Sequence, residues 1–66
     1  MKKLIQKFYW TNAGDETPNI TEVGKHFDKI EYDIATPGTW IYCYNNGVLE
    51  VLVNVKYVES IYFVGV

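Results

Sequence analysis

Trp40-Ile41-Tyr42-Cys43-Tyr44-Asn45-Asn46-Gly47-Val48-Leu49-Glu50-Val51-Leu52-Val53 decides the fold. Two runs rich in β-branched, aromatic and aliphatic residues flank Asn-Gly, the preferred pair of a type I′ turn, whose central residues both need positive φ. The stretch reads as a β-hairpin. With Asn46-Gly47 as the loop, Tyr44 faces Leu49, Tyr42 faces Val51 and Trp40 faces Val53. With Asn45-Asn46 as the loop, Tyr42 faces Leu49 and Trp40 faces Val51. Either register gathers Trp40, Tyr42, Tyr44, Leu49, Val51 and Val53 on one almost wholly apolar face, the expected core face. Ile41, Cys43, Val48, Glu50 and Leu52 take the other. A three-residue loop would undo this, because a one-residue slip sends every side chain to the opposite face.

On the N-terminal side, Ile30, Tyr32 and Ile34 alternate with Glu31 and Asp33, a half-buried strand, and Thr36-Pro37-Gly38 is a turn. Residues 20–28 are predicted to form a short helix. Asn19 and Glu22 form a variant capping box, and Ile20, Val23 and Phe27 have helical spacing. Gly24 costs that helix about 1 kcal/mol against alanine, and a strand over residues 20–23 is the alternative. Residues 11–19 are a polar loop, expected to be the adaptable surface. Residues 4–10 read as a strand with Leu4, Phe8, Trp10 and Gln6 on one face and Ile5, Tyr9, Lys3 and Lys7 on the other. After a kink near residues 54–56, a last strand runs to Val64, with Ile61 and Phe63 on one face and Val58, Tyr62 and Val64 on the other.

The expected architecture is therefore a mainly β or small α+β single domain spanning residues 1–66. It has four or five antiparallel strands in a meander or small barrel, and one short helix. Strands apolar on both faces call for cover on both faces. A 66-residue chain has little to supply it. Barrel closure is one remedy, and a partner or homo-oligomer is the other.

Composition narrows the chemistry. One cysteine, Cys43, rules out an intrachain disulfide, and with one histidine, His26, a four-ligand zinc site is not expected. No metal or cofactor is expected. His26 near Asp28 and Glu22 reads as a surface or capping residue, since no nucleophile stands at an informative spacing. Cys43 reads as a packing residue in a strand. The five glycines are scattered as turn residues and form no phosphate loop. The chain is expected not to be an enzyme.

The 17% aromatic content exceeds what so small a core hides, so some rings reach the surface. Tyr and Trp dominate interface hot spots. The functional expectation is a protein-binding module, accessory or inhibitory, that binds another protein and self-associates. Tyr9, Trp10, Ile41 and Leu52 are its candidate binding residues. The alternative is a small nucleic-acid-binding barrel that uses aromatic rings with Lys2, Lys3 and Lys7. Net charge of −2 and the absence of arginine weigh against it. No signal peptide or membrane span is read, and the lone thiol suits a reducing, cytoplasmic setting. Lysine without arginine, among many Ile, Asn and Tyr, is the usage of an AT-rich genome and points to a low-GC bacterium or its phage.

Overall fold

The computed structural model describes residues 2–34 and 38–65. The fold is mainly β: six antiparallel strands in one curled, half-barrel sheet. They are β1 (Lys2–Trp10), β2 (Asn19–Glu22), β3 (Lys29–Asp33), β4 (Trp40–Asn45), β5 (Val48–Asn54) and β6 (Val58–Phe63). A single 3-10 turn, Val55–Tyr57, links β5 to β6, with the Asn54 side chain accepting from the Lys56 amide. Strand order is β2-β1-β3-β4-β5, and β6 also pairs with β1. The long β1 is the hub. Its first residues pair with β3, its last with β2, and Ile5 to Trp10 pair with β6.

The expected helix over residues 20–28 is absent. Asn19–Glu22 instead form β2 against Lys7–Trp10 of β1, and a tight turn follows. Gly24, at φ +93°, makes that turn, its amide donating to the Phe27 carbonyl at 2.8 Å. A positive φ there is incompatible with a continuous helix. The turn expected at Thr36-Pro37-Gly38 lies largely outside the described residues.

The hairpin turn is the one that the Asn-Gly pair demands. Asn46 has φ +54° and Gly47 φ +74°, and Tyr44 pairs with Leu49. Beyond that pair the expected register fails. Cys43 pairs with Val51, Tyr42 with Leu52 and Ile41 with Val53, because Glu50 is an extra residue in β5. This β-bulge resets side-chain parity. It brings Val51 and Val53 opposite Cys43 and Ile41, which point into the core with Ile30 of β3 and have no exposed surface, while Trp40 is 42% exposed. The expected core row of Trp40, Tyr42 and Tyr44 belongs to the opposite face.

Two more bulges act in the same way. Gln6 has no partner on β6, since Ile5 pairs with Phe63 and Lys7 with Tyr62. Ile5 and Phe8, on opposite faces of a regular strand, are both completely buried. Glu59 is bypassed between the Tyr9–Ser60 and Trp10–Val58 pairs, so Val58 joins Ile61 and Phe63 against the core. Each bulge falls on a Gln or Glu, and each bends its strand and adds twist. Together they curl the sheet around Ile5, Phe8, Ile30, Ile41 and Cys43.

Gly47 offers a clean test of the turn. A Cβ there would meet no atom within 4 Å, so a substitution is strained by backbone conformation alone. Gly47→Ala should cost about 1–2 kcal/mol in urea unfolding. D-alanine at the same position in a synthetic chain should match or exceed the wild type, because it favours positive φ and restricts the unfolded state. Equal losses for both enantiomers would mean that the turn is not left-handed.

Candidate functional site: the open seam of the half-barrel

The half-barrel does not close. Among the described residues, β5 pairs only with β4, which leaves its other edge without a partner strand. Along that edge runs an open groove of about 550 Å³. Val51, Leu52, Val53 and Asn54 all line it. Four consecutive residues of one strand line a groove only when it follows the strand's edge, because alternate side chains leave opposite faces. The same wall continues into Lys56 and Tyr57, with Trp40 beside it, and the far wall is Trp10, Asn12, Thr21 and Phe27.

The far wall is held in place by its own chemistry. Trp10 Nε1 donates to Thr21 Oγ1 at 2.9 Å across the β1–β2 pair. Its one polar atom is thus satisfied, and the indole is oriented as an apolar surface. Asn12 belongs to a loop organised by Asp15, whose carboxylate accepts from the Asn12 amide and from Asn19 Nδ2, both at 2.9 Å. The polar loop expected over residues 11–19 is thus tied at both ends.

The strand that forms the near wall is unusually apolar for an edge. Val48, Leu49, Val51 and Leu52 are 60%, 45%, 41% and 46% exposed. Edge strands that stay unpaired are commonly guarded by lysine, proline or a bulge. From Val48 to Asn54 only the Glu50 bulge serves that purpose. Its carboxylate accepts from Asn45 Nδ2 at 3.1 Å, which draws it toward the turn end of the hairpin.

Of the four residues expected to bind, Trp10 and Leu52 lie on opposite walls of the seam. Tyr9 lies outside it, packed edge-on against Tyr62 with ring centroids 5.9 Å apart. Ile41 is completely buried, on the inward face of β4 with Cys43, and presents no surface to a partner. The sequence reading missed Trp40, Val51 and Tyr57. The first two it had assigned to the core on strict alternation.

The other chemistry-bearing residues are occupied or sealed. His26 Nδ1 accepts from the Glu22 amide at 3.0 Å, closing the turn after β2. Asp28 Oδ2 accepts from the Asn46 amide at 2.7 Å, and Asn45 Oδ1 accepts from the Asp28 amide at 3.0 Å, locking that turn to the hairpin. Cys43 has no exposed surface, and burial pushes its thiol up from 9.0 to about 11. The native thiol should therefore resist a disulfide reagent at pH 8 and react at the rate of unfolding. The linkage has a definite sign. Below pH 9 the thiol is protonated in both states. Between pH 9 and 11 it ionises first in the unfolded chain, so stability falls as pH rises. Cys43→Ala should lose that component of the fall. Fast native labelling would contradict the burial.

Four lysines lie on tyrosine rings. Lys29 Nζ is 4.5 Å from the Tyr44 centroid, Lys7 5.0 Å from Tyr62, Lys56 5.0 Å from Tyr57 and Lys2 5.5 Å from Tyr42. Lys2 and Lys29 thus cover Tyr42 and Tyr44 on the outer face of β4.

Comparison with known families, with curated proteins and with solved structures gives no significant match. Among the described residues, no helix is long and apolar enough to cross a membrane.

Proposed function

We propose that the chain is a non-catalytic protein-binding module whose open seam accepts an extended strand from a partner. The single observation that carries this reading is the apolar groove running along the unpaired edge of β5. A strand laid there meets main-chain donors and acceptors on one side, as in β-strand addition. Its side chains meet two tryptophans, Trp10 and Trp40, and Leu52. Main-chain bonds supply pairing, and alternate side chains supply selectivity.

The small core supports the same reading. Five residues are fully buried, while ten large hydrophobics among the described residues remain 40–60% exposed. A chain with so little interior gains from covering such surface with a partner. The sealed Cys43 and the engaged Nδ1 of His26 favour binding over catalysis, and the buried free thiol suits a cytoplasmic, reducing setting. Base stacking on the outer tyrosines is disfavoured, because a base competes there with lysines already lying on the rings.

Selection from a random extended-peptide library, with binding read by tryptophan emission, tests the proposal. Both tryptophans of the chain line the seam, so emission reports on its occupancy. Selected peptides should alternate apolar and polar residues and should fail to bind a Leu52→Lys chain. No enrichment over that variant would overturn the proposal, as would a labelled oligonucleotide that bound at low salt and shifted the same emission.

A further inference from the structure

We infer that the strand filling the seam comes from a second copy of this chain, β5 pairing antiparallel with β5 of the copy about a two-fold axis at Leu52. The inference rests on the strand-binding reading of the seam and names its occupant.

The edge is self-complementary. Around Leu52 the segment Val51-Leu52-Val53 reads the same in both directions. In the two-fold pair Leu52 opposes Leu52 of the copy, Val51 opposes Val53, and Glu50 opposes Asn54. An isologous interface requires only that the patch complement itself, since residue i meets j and j meets i, and here apolar residues meet apolar ones. Apolar residues opposed across strands stabilise the pair, and like charges directly opposed destabilise it. Here the one acid of the edge meets an amide, and its carboxylate is already turned toward Asn45.

The area agrees. Trp40, Val48, Leu49, Val51, Leu52 and Tyr57 are each between 41% and 60% exposed. With whole side chains of up to 150–250 Å² for the aromatics, they present on the order of 500 Å² of apolar surface. That is as large as the largest patch on a typical monomer. A standard interface takes about 800 Å² from each partner. The edge backbone, Asn54 and Lys56 contribute toward the remainder. Each copy carries a net charge of −2, but the interface segment holds one acid and the following turn one lysine, so repulsion is not concentrated there.

Sedimentation velocity from about 1 µM to about 1 mM tests the inference. Three chains are compared: wild type, Leu52→Lys and Leu4→Lys. Leu52 is exposed, so its replacement leaves the core intact, and it sets two like charges face to face on the proposed axis. Leu4 is equally exposed but lies on β1, separated from β5 by β3 and β4. Wild type should dimerise. Leu52→Lys should weaken the dimer by roughly 100-fold, and Leu4→Lys should leave it unchanged. A wild type that stays monomeric through 1 mM overturns the inference, as does a dimer insensitive to Leu52→Lys. The same samples are then titrated with a capped peptide copying residues 50–55, with tryptophan emission as readout. Saturable binding to a chain that does not dimerise removes the second copy and keeps the strand-binding reading. Neither dimer nor peptide binding removes both.

Discussion

Phe8→Ala should remove a large share of the folding stability at 25 °C. Phe8 is the largest of the five completely buried side chains. Truncating a buried phenylalanine costs about 3–5 kcal/mol, the lost transfer energy plus a cavity that the surroundings fill only in part. At the usual 0.05–0.15 kcal/mol per residue, a domain of this length holds roughly 3–10 kcal/mol in all. The substitution therefore consumes from about a third of the stability to all of it. Circular dichroism in urea should show the midpoint falling by about a third or more. A loss under about 1 kcal/mol would mean that Phe8 is not at the centre of the fold.

The second large effect contrasts Ile41 with Leu52. Ile41→Ala should cost about 2–5 kcal/mol, because Ile41 packs in the core with no exposed surface. Leu52→Ala, on the far side of the bulge and 46% exposed, should change the stability of the dilute protein by about 0.5 kcal/mol. Without the Glu50 bulge, Leu52 would share the face of Ile41 and Cys43, and Val51 and Val53 would turn outward. The two variants therefore discriminate between registers that differ by a single residue. Equal costs, or the reverse order, would contradict the bulged ladder.

The hairpin, the polar loop, the kink near Asn54 and the mainly β class were legible because each rests on local chemistry. Asn-Gly needs positive φ, and alternation needs only neighbours. The faces were not legible, and the reason is specific. Alternation assumes an unbroken ladder, but Gln6, Glu50 and Glu59 are bulged residues. A trace of this stands in the sequence. Ile5 and Phe8 are separated by Gln-Lys, and Val58 and Ile61 by Glu-Ser. Two polar residues between two core residues mark a strand that has slipped by one. The helix over residues 20–28 was misread because three apolar residues at helical spacing also suit a four-residue strand followed by a turn, and Gly24 fills the turn. Half of the seam was legible through Trp10 and Leu52, chosen as surplus hydrophobics. Trp40 was not, because the inward face of β4 is that of Ile41 and Cys43 rather than the aromatic row, and Val51 was not, because the Glu50 bulge moves it opposite Cys43 and off that row's face.

Amide hydrogen exchange along residues 51–54 reads out whether the outer edge of β5 is open and whether a strand covers it. Successive amides of an edge strand point alternately toward the sheet and away from it. In dilute protein the outward set should exchange rapidly while the set bonded to β4 is protected. At concentrations where the chain self-associates, or with the residue 50–55 peptide bound, the outward set should gain protection. Uniform protection in dilute monomer would show that the edge is already covered. Rapid exchange that persists once a partner is bound would show that the partner docks elsewhere. Either result would contradict an open seam that binds a strand.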